Sequence, residues 1–166
     1  MFPSRISSGL FKGTPKAAAA GTSYANSGGT GDRTASITVT LTGNFLGAGS
    51  AAGFVNGSFA NNHYFGNNAA TTYGFTFDFG TARIIDEAKF YQQNTTSHGV
   101  WKWQGSSNGS SWTDIGSSFT FGGAATQTQT ALNGNTTAYR YYRVIGVSGT
   151  ASDSPWLYEW EFKISA

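Results

Sequence analysis

The chain has 166 residues, enough for one domain with a real core and too few for two ordinary ones. Charged residues make up 11% and aromatics 16%, with Gly, Ser, Thr and Asn filling most of the rest; this argues against a helical protein and for short strands joined by turns. The net charge of +2 is scattered from Arg5 to Lys163, which excludes a phosphate-tracking patch and so nucleic acid as a partner, and zero cysteines exclude a disulfide framework or thiolate metal site.

From Met1 to Arg33 the sequence is low in complexity. "KAAAAGTSYANSGGTGDR" has too few apolar side chains to bury and too many glycines to hold a helix. Residues 1–33 are therefore assigned to an extended Gly/Ala/Ser-rich N-terminal arm, which would gain order by lying along its own domain or a neighbouring subunit. The opening "MFPSRISSGLFKGTPKAAAAG" has no apolar run of signal-peptide length, and no stretch is long and apolar enough to span a membrane. Synthesis inside a cell followed by assembly into something larger is the expectation that follows.

Residues 34–166 read as one β-domain. "SITVTLTG" sets Ile37, Val39 and Leu41 on one face and threonines on the other. "YGFTFDFG" alternates Tyr73, Phe75, Phe77 and Phe79 with small or polar residues. Rings that each bury about 150–250 Å² at about 25 cal/mol per Å² mark a central strand. "RIIDEAKFYQQ" is the one partly helical pattern, and a short turn into a strand fits it equally well. "YRYYRVIGV" and "YEWEFKIS" supply two more strands, the latter with Trp160, Phe162 and Ile164 opposed to Glu159, Glu161 and Lys163.

Between them, "WKWQGSSNGSSWTDIG" carries Asn108-Gly109, a favoured pair for a two-residue hairpin turn. That turn places Trp103 opposite Asp114 and puts Trp101, Trp103 and Trp112 on one face, packed between sheets. A bulged three-residue loop would send Trp112 to the other face. An exposed stacking platform for sugar rings is the competing reading of these indoles.

In this order, "YGFTFDFG", "ARIIDEAKFYQ", "WKWQGSSNGSSWTDIG", "YRYYRV" and "EWEFKI" resemble the discoidin domain, or coagulation factor 5/8 C-terminal type domain, over roughly Phe54 to Ile164. The resemblance implies an all-β jelly-roll β-sandwich of about eight core strands, galactose-binding-like in fold. It also implies a non-catalytic binder of glycans, lipid headgroups or proteins; similar domains occur as enzyme appendages and in bacteriophage structural proteins. Many glycan-binding relatives carry Ala-x-Asp-Gly and a structural calcium near the domain start. Here "GFVNGS" puts Asn56 in place of the carboxylate, so no cofactor is expected. No loop is conspicuously apolar, and membrane insertion is not expected.

Catalytic patterns are weak. "DFG" at Asp78–Gly80 lacks the other kinase motifs, "GSSNG" reads as a hairpin turn and not a nucleophile elbow, and the carboxylates form no evident hydrolytic pair. His63 and His98 stand 35 positions apart without metal-ligand spacing. No enzyme is expected. Binding is expected at loops near one end of the sandwich, where Asn61, Asn62, Tyr64, His98, Asp153 and Trp156 supply an aromatic face with amide, imidazole and carboxylate groups for sugar hydroxyls.

The leading reading is a structural or adhesion protein of a bacteriophage particle, a head- or tail-surface component. It would be held through its arm to other virion proteins, in a homo-oligomer, with cell-surface glycan as a further partner. The alternative is a free-standing carbohydrate-binding module acting outside the cell.

Overall fold

The computed structural model describes residues 21–166. Along the chain run β1 (Thr22–Ser23), β2 (Thr38–Thr42), β3 (Phe45–Leu46), β4 (Tyr64–Phe65), β5 (Asn68–Ala69), β6 (Gly74–Arg83), β7 (Ile85–Gln92), β8 (Ser97–Ser106), β9 (Thr113–Gly122), β10 (Thr126–Gln129), β11 (Tyr139–Ser148), β12 (Thr150–Ala151) and β13 (Leu157–Ser165). Short 3-10 turns at Ala51–Val55, Ala70–Thr72 and Thr130–Leu132 complete the path. The ambiguous "RIIDEAKFYQQ" is a strand, because Ile85, Ala88 and Phe90 all face the core.

Two main antiparallel sheets result, one in the order β1-β13-β7-β10 and one in the order β2-β6-β11-β8-β9, with two-stranded pairs β3-β4 and β5-β12 beside them. The fold is an all-β jelly-roll sandwich. The phenylalanine-rich β6 is paired on both sides, by β2 and β11, as its alternation requires. Between the layers, Phe75, Phe77, Trp101 and Trp103 of one sheet meet Phe90, Trp160 and Phe162 of the other, all fully buried. Trp160 is the hub: its ring lies 5.7 Å from Phe75 and 5.8 Å from Phe77, edge to face, and 5.4 Å from Trp103. Pairs in this geometry add about 0.5–1.5 kcal/mol each beyond the burial of their area.

The hairpin departs from the two-residue expectation. Trp103 pairs with Ile115, Gln104 with Asp114 and Gly105 with Thr113, one step off the register that Asn108-Gly109 alone would set. Side-chain oxygens widen the turn. Ser106 Oγ accepts from the amides of Asn108 and Gly109, and Asn108 Oδ1 accepts from those of Ser110 and Ser111, so residues 107–112 form a self-capped loop. A one-residue shift reverses the face of everything beyond it. Trp101 and Trp103 are core residues, whereas Trp112 lies on the outer surface with the Arg143 guanidinium 4.0 Å from its ring.

Of the stretch assigned to the arm, residues 1–20 lie outside the described residues. Residues 21–33 run along the domain's own β13: Thr22 and Ser23 pair with Ser165 and Ile164, and the Phe162 amide donates to Gly29 O at 2.9 Å. Tyr24 takes the Lys89 ammonium over its ring at 4.4 Å.

Two substitutions test which indoles hold the layers together. Trp103→Ala is expected to lower the free energy of unfolding by about 3–5 kcal/mol. Trp112→Ala should cost about 1–2 kcal/mol, the value of a half-buried cation–π contact. Urea unfolding of both variants measures the contrast, and equal losses would restore the three-indole core.

Candidate functional site

One end of the sandwich gathers the start of β6, the end of β7, the starts of β8 and β13 and the end of β11, and the connections 43–73, 93–96 and 149–156 cover it. Strand order alone brings these segments together. The Leu157 amide donates to His63 O at 2.8 Å in an isolated antiparallel bridge, so the segment Asn62–Tyr64 runs beside Trp156–Tyr158. The Gln93 amide donates to Trp156 O at 2.9 Å, which ties the 93–96 turn to the same place.

Of the expected ligand residues, the structure assembles four at this surface. Trp156 is 47% exposed, Asp153 is exposed, and Asn62 and Tyr64 are half-buried. The other two turn inward. Asn61 is buried, with its amide packed against Gly49 and Gly53 under the 3-10 turn. His98 is fully buried between the rings of Phe65 and Phe121, at 4.7 and 5.7 Å, and its Nε2 lies 3.0 Å from Gln92 Oε1.

His98 is therefore a support beneath the surface and not a contact residue. Gln92 Nε2 donates to Asn94 O and Thr96 O, while the His98 carbonyl accepts from the Trp101 indole at 2.7 Å, so the pair braces the 94–96 turn from below. His63 is likewise buried, stacked on Phe54 at 5.3 Å.

Residue-type reasoning missed Phe59. It is 53% exposed, its ring 4.9 Å from Tyr91 and 6.5 Å from Tyr158, both half-buried. The available signal was a lone aromatic among turn formers in "NGSFANN", with no alternation to give it a buried face. The four exposed large apolar residues of the described chain, Leu46, Phe59, Val147 and Trp156, all belong to this end. They come from four separate segments, which is why no single loop reads as apolar.

Carboxylates are committed elsewhere. Asp32 accepts from Thr34, Asp78 from Arg140, Asp86 from Thr22, Glu87 from Tyr24, Asp114 from Lys102 and Gln104, Glu159 from Arg33 and Glu161 from Tyr91. Asp153 alone has no such partner among the described residues, so no free acid–base pair faces this end.

The loop that the resemblance associates with calcium does not fit a metal. Asn56 Oδ1 is turned back to accept the Ser58 amide at 2.9 Å, and the neighbouring buried carboxylate, Glu159, is paired with the Arg33 guanidinium. Among the described residues no cluster of three or more His, Asp or Glu gathers at metal-binding range.

No family model matches the sequence, and no curated protein matches it. Solved structures do. The carbohydrate-binding module CBM32-1 from a family 31 glycoside hydrolase of Clostridium perfringens superposes with a TM-score of 0.61 at 10% identity, over 76% of this chain and 93% of that one. A second C. perfringens module, CpGH89CBM32-5, in complex with GalNAc-β-1,3-galactose, gives 0.60 at 14% identity over 80% and 97%. The family 32 module of C. perfringens NanJ, in complex with galactose, gives 0.59 at 16% identity over 80% and 97%. At these identities the shared property is the fold, a discoidin-like sandwich.

The support role of His98 has a pH signature. Burial lowers its pKa from 6.5 to about 4, so the folded chain keeps the ring neutral where the unfolded chain takes up a proton. Its contribution to stability is complete above the unfolded value and is lost as pH falls from 6.5 towards 4. Between about pH 7 and pH 5 the loss is about 2 kcal/mol. His98→Phe is expected to remove that share of the pH dependence, read as the difference in denaturant unfolding at the two pH values; identical dependence in both proteins would refute the assignment.

Proposed function

We propose that this chain is a non-catalytic carbohydrate-binding module that presents a sugar platform at the loop end. The observation that carries the reading is the exposed Trp156, set beside Asn62, Tyr64 and Asp153 in a sandwich of the same fold as modules solved with galactose and GalNAc-β-1,3-galactose. Stacking on an indole serves the CH face of a pyranose, and amide, phenol and carboxylate groups at its border serve the hydroxyls. Phe59, packed on Tyr91 and Tyr158, adds a second exposed ring at this end. With seven of eight carboxylates engaged, the arrangement supports binding and offers no reacting pair. Such a module acts outside the cell, on glycans of a surface or matrix.

The reading as a virion component draws no support from the comparisons. Of the stretch on which that reading partly rests, an arm ordered along its own domain or a neighbour, the described residues 21–33 are bonded to β13 of the same chain.

Calorimetric titration of the full chain with galactose and with GalNAc-β-1,3-galactose tests the proposal. Saturable binding to at least one is expected, and Trp156→Ala should weaken it about tenfold or more, the equivalent of 1.4 kcal/mol of stacking. Phe59→Ala should weaken it less. Binding unchanged in Trp156→Ala would move the site elsewhere, and no binding of these or of a broader glycan panel would remove the proposal.

A further inference from the structure

Arg33 carries its charge into a place that oxygen atoms build. Its side chain is 2% exposed, as deeply enclosed as its partner Glu159 at 1%. Nε donates to Gly31 O at 2.9 Å, Nη1 to Gly29 O at 2.7 Å and Nη2 to Glu159 Oε1. The second carboxylate oxygen of Glu159 has no hydrogen-bond partner. Just beside it, the Arg33 amide donates to Val55 O at 2.8 Å, at the end of the Ala51–Val55 turn. Gly57 follows so close to the Gly31 backbone that a side chain there would come within 2.6 Å of the Gly31 carbonyl carbon. Segment 29–33 and β13 thus enclose the positive charge, and 55–57 packs against the main chain that carries it.

Two main-chain carbonyls and a carboxylate with a spare oxygen form the donor set of a hard cation, and such cations take six to eight oxygens with waters completing the shell. A guanidinium meets the same oxygens with planar N–H groups and a single charge. We propose that Arg33 is a built-in replacement for a divalent cation, so that the sandwich closes without metal, and that removing the guanidinium turns this cradle into a calcium site. The inference is independent of the sugar platform. With one carboxylate and neutral carbonyls the unmasked site is of modest charge, in keeping with dissociation constants of about 0.1–1 mM.

Thermal unfolding of the full chain at about pH 8, in about 5 mM EDTA, calcium or magnesium, tests this for the wild type, Arg33→Ala and Arg33→Lys. The wild type is expected to melt at the same temperature, within about 1 °C, in all three. Arg33→Ala should melt earlier in EDTA and gain about 4 °C or more in calcium, with a smaller gain in magnesium, whose strict octahedral shell is poorly met by two carbonyls of one segment and a carboxylate of another. Arg33→Lys keeps a cation in place and should show no calcium response. A wild type that melts earlier in EDTA than in calcium overturns the proposal. So does an Arg33→Ala protein, folded or not in EDTA, that gains nothing from calcium.

Discussion

The edge-to-face seam that Trp160 makes with Phe75 and Phe77 is the contact on which the rest of the molecule depends. It joins β13 of one sheet to β6 of the other, and Phe121 stacks on the same indole at 5.7 Å with the rings nearly parallel. Interleaved rings fix both the spacing of the layers, about 10 Å in sandwiches of this kind, and their rotation against each other. Once that relation is set, the strand ends at one pole of the sandwich have fixed places, and segments as remote as 62–64, 93–96 and 153–158 are brought side by side.

Two buried polar groupings lie outside the centre of this apolar layer, one sealed by its rings and one roofed by residues 29–33. At the loop pole, His98 Nε2 meets Gln92 Oε1, and Gln92 Nε2 braces the turn that flanks Trp156. On the outer face of the four-stranded sheet, Arg33 and Glu159 bind the segment before β2 to β13 and to the turn ending at Val55. A buried ion pair adds little net stability over an apolar filling, because desolvation offsets the attraction. Its value lies in register: only this path of residues 29–33 delivers the guanidinium to both carbonyls and the carboxylate.

Period-two alternation made the sandwich legible. In β2, β6 and β13 the residues read as inward-facing from spacing, such as Val39, Phe77 and Phe162, are buried in the structure, with Leu41 half-buried at the edge of the core. Glu159 escaped that logic. On the face opposed to Trp160, solvated exposure and a salt bridge fit the alternation equally; the structure shows the ion pair with Arg33, buried because residues 29–33 roof the outer face there, a tertiary event that alternation cannot register. Trp112 escaped for a different reason. Asn108-Gly109 is a strong local turn signal, but Ser106 and Asn108 compete for the same amides and win a longer loop, and one residue of slip reverses the face. His98 and Asn61 have the right chemistry for sugar recognition and the wrong environment; the chemistry is in the residue type, whereas burial is decided by Phe65, Phe121 and the Gly49–Gly53 stretch packing over them.

The same competition explains why the platform is exposed at all. Leaving a large aromatic or aliphatic side chain in water forgoes about 1.5–3 kcal/mol of burial, and Leu46, Phe59, Val147 and Trp156 all do so at one pole while the opposite pole has no such residue among those described. The core does not need them, since a dozen large side chains are already enclosed almost completely. Chain connectivity does not force them out either, because turns accept Ser, Asn or Gly at such positions with equal ease. Under the proposed function, that cost, concentrated at the pole where strand order also assembles amide, phenol and carboxylate groups, is met by the bound sugar. An amphipathic ring, apolar on its CH face and polar at its rim, complements that surface better than a wholly apolar or a wholly charged partner would.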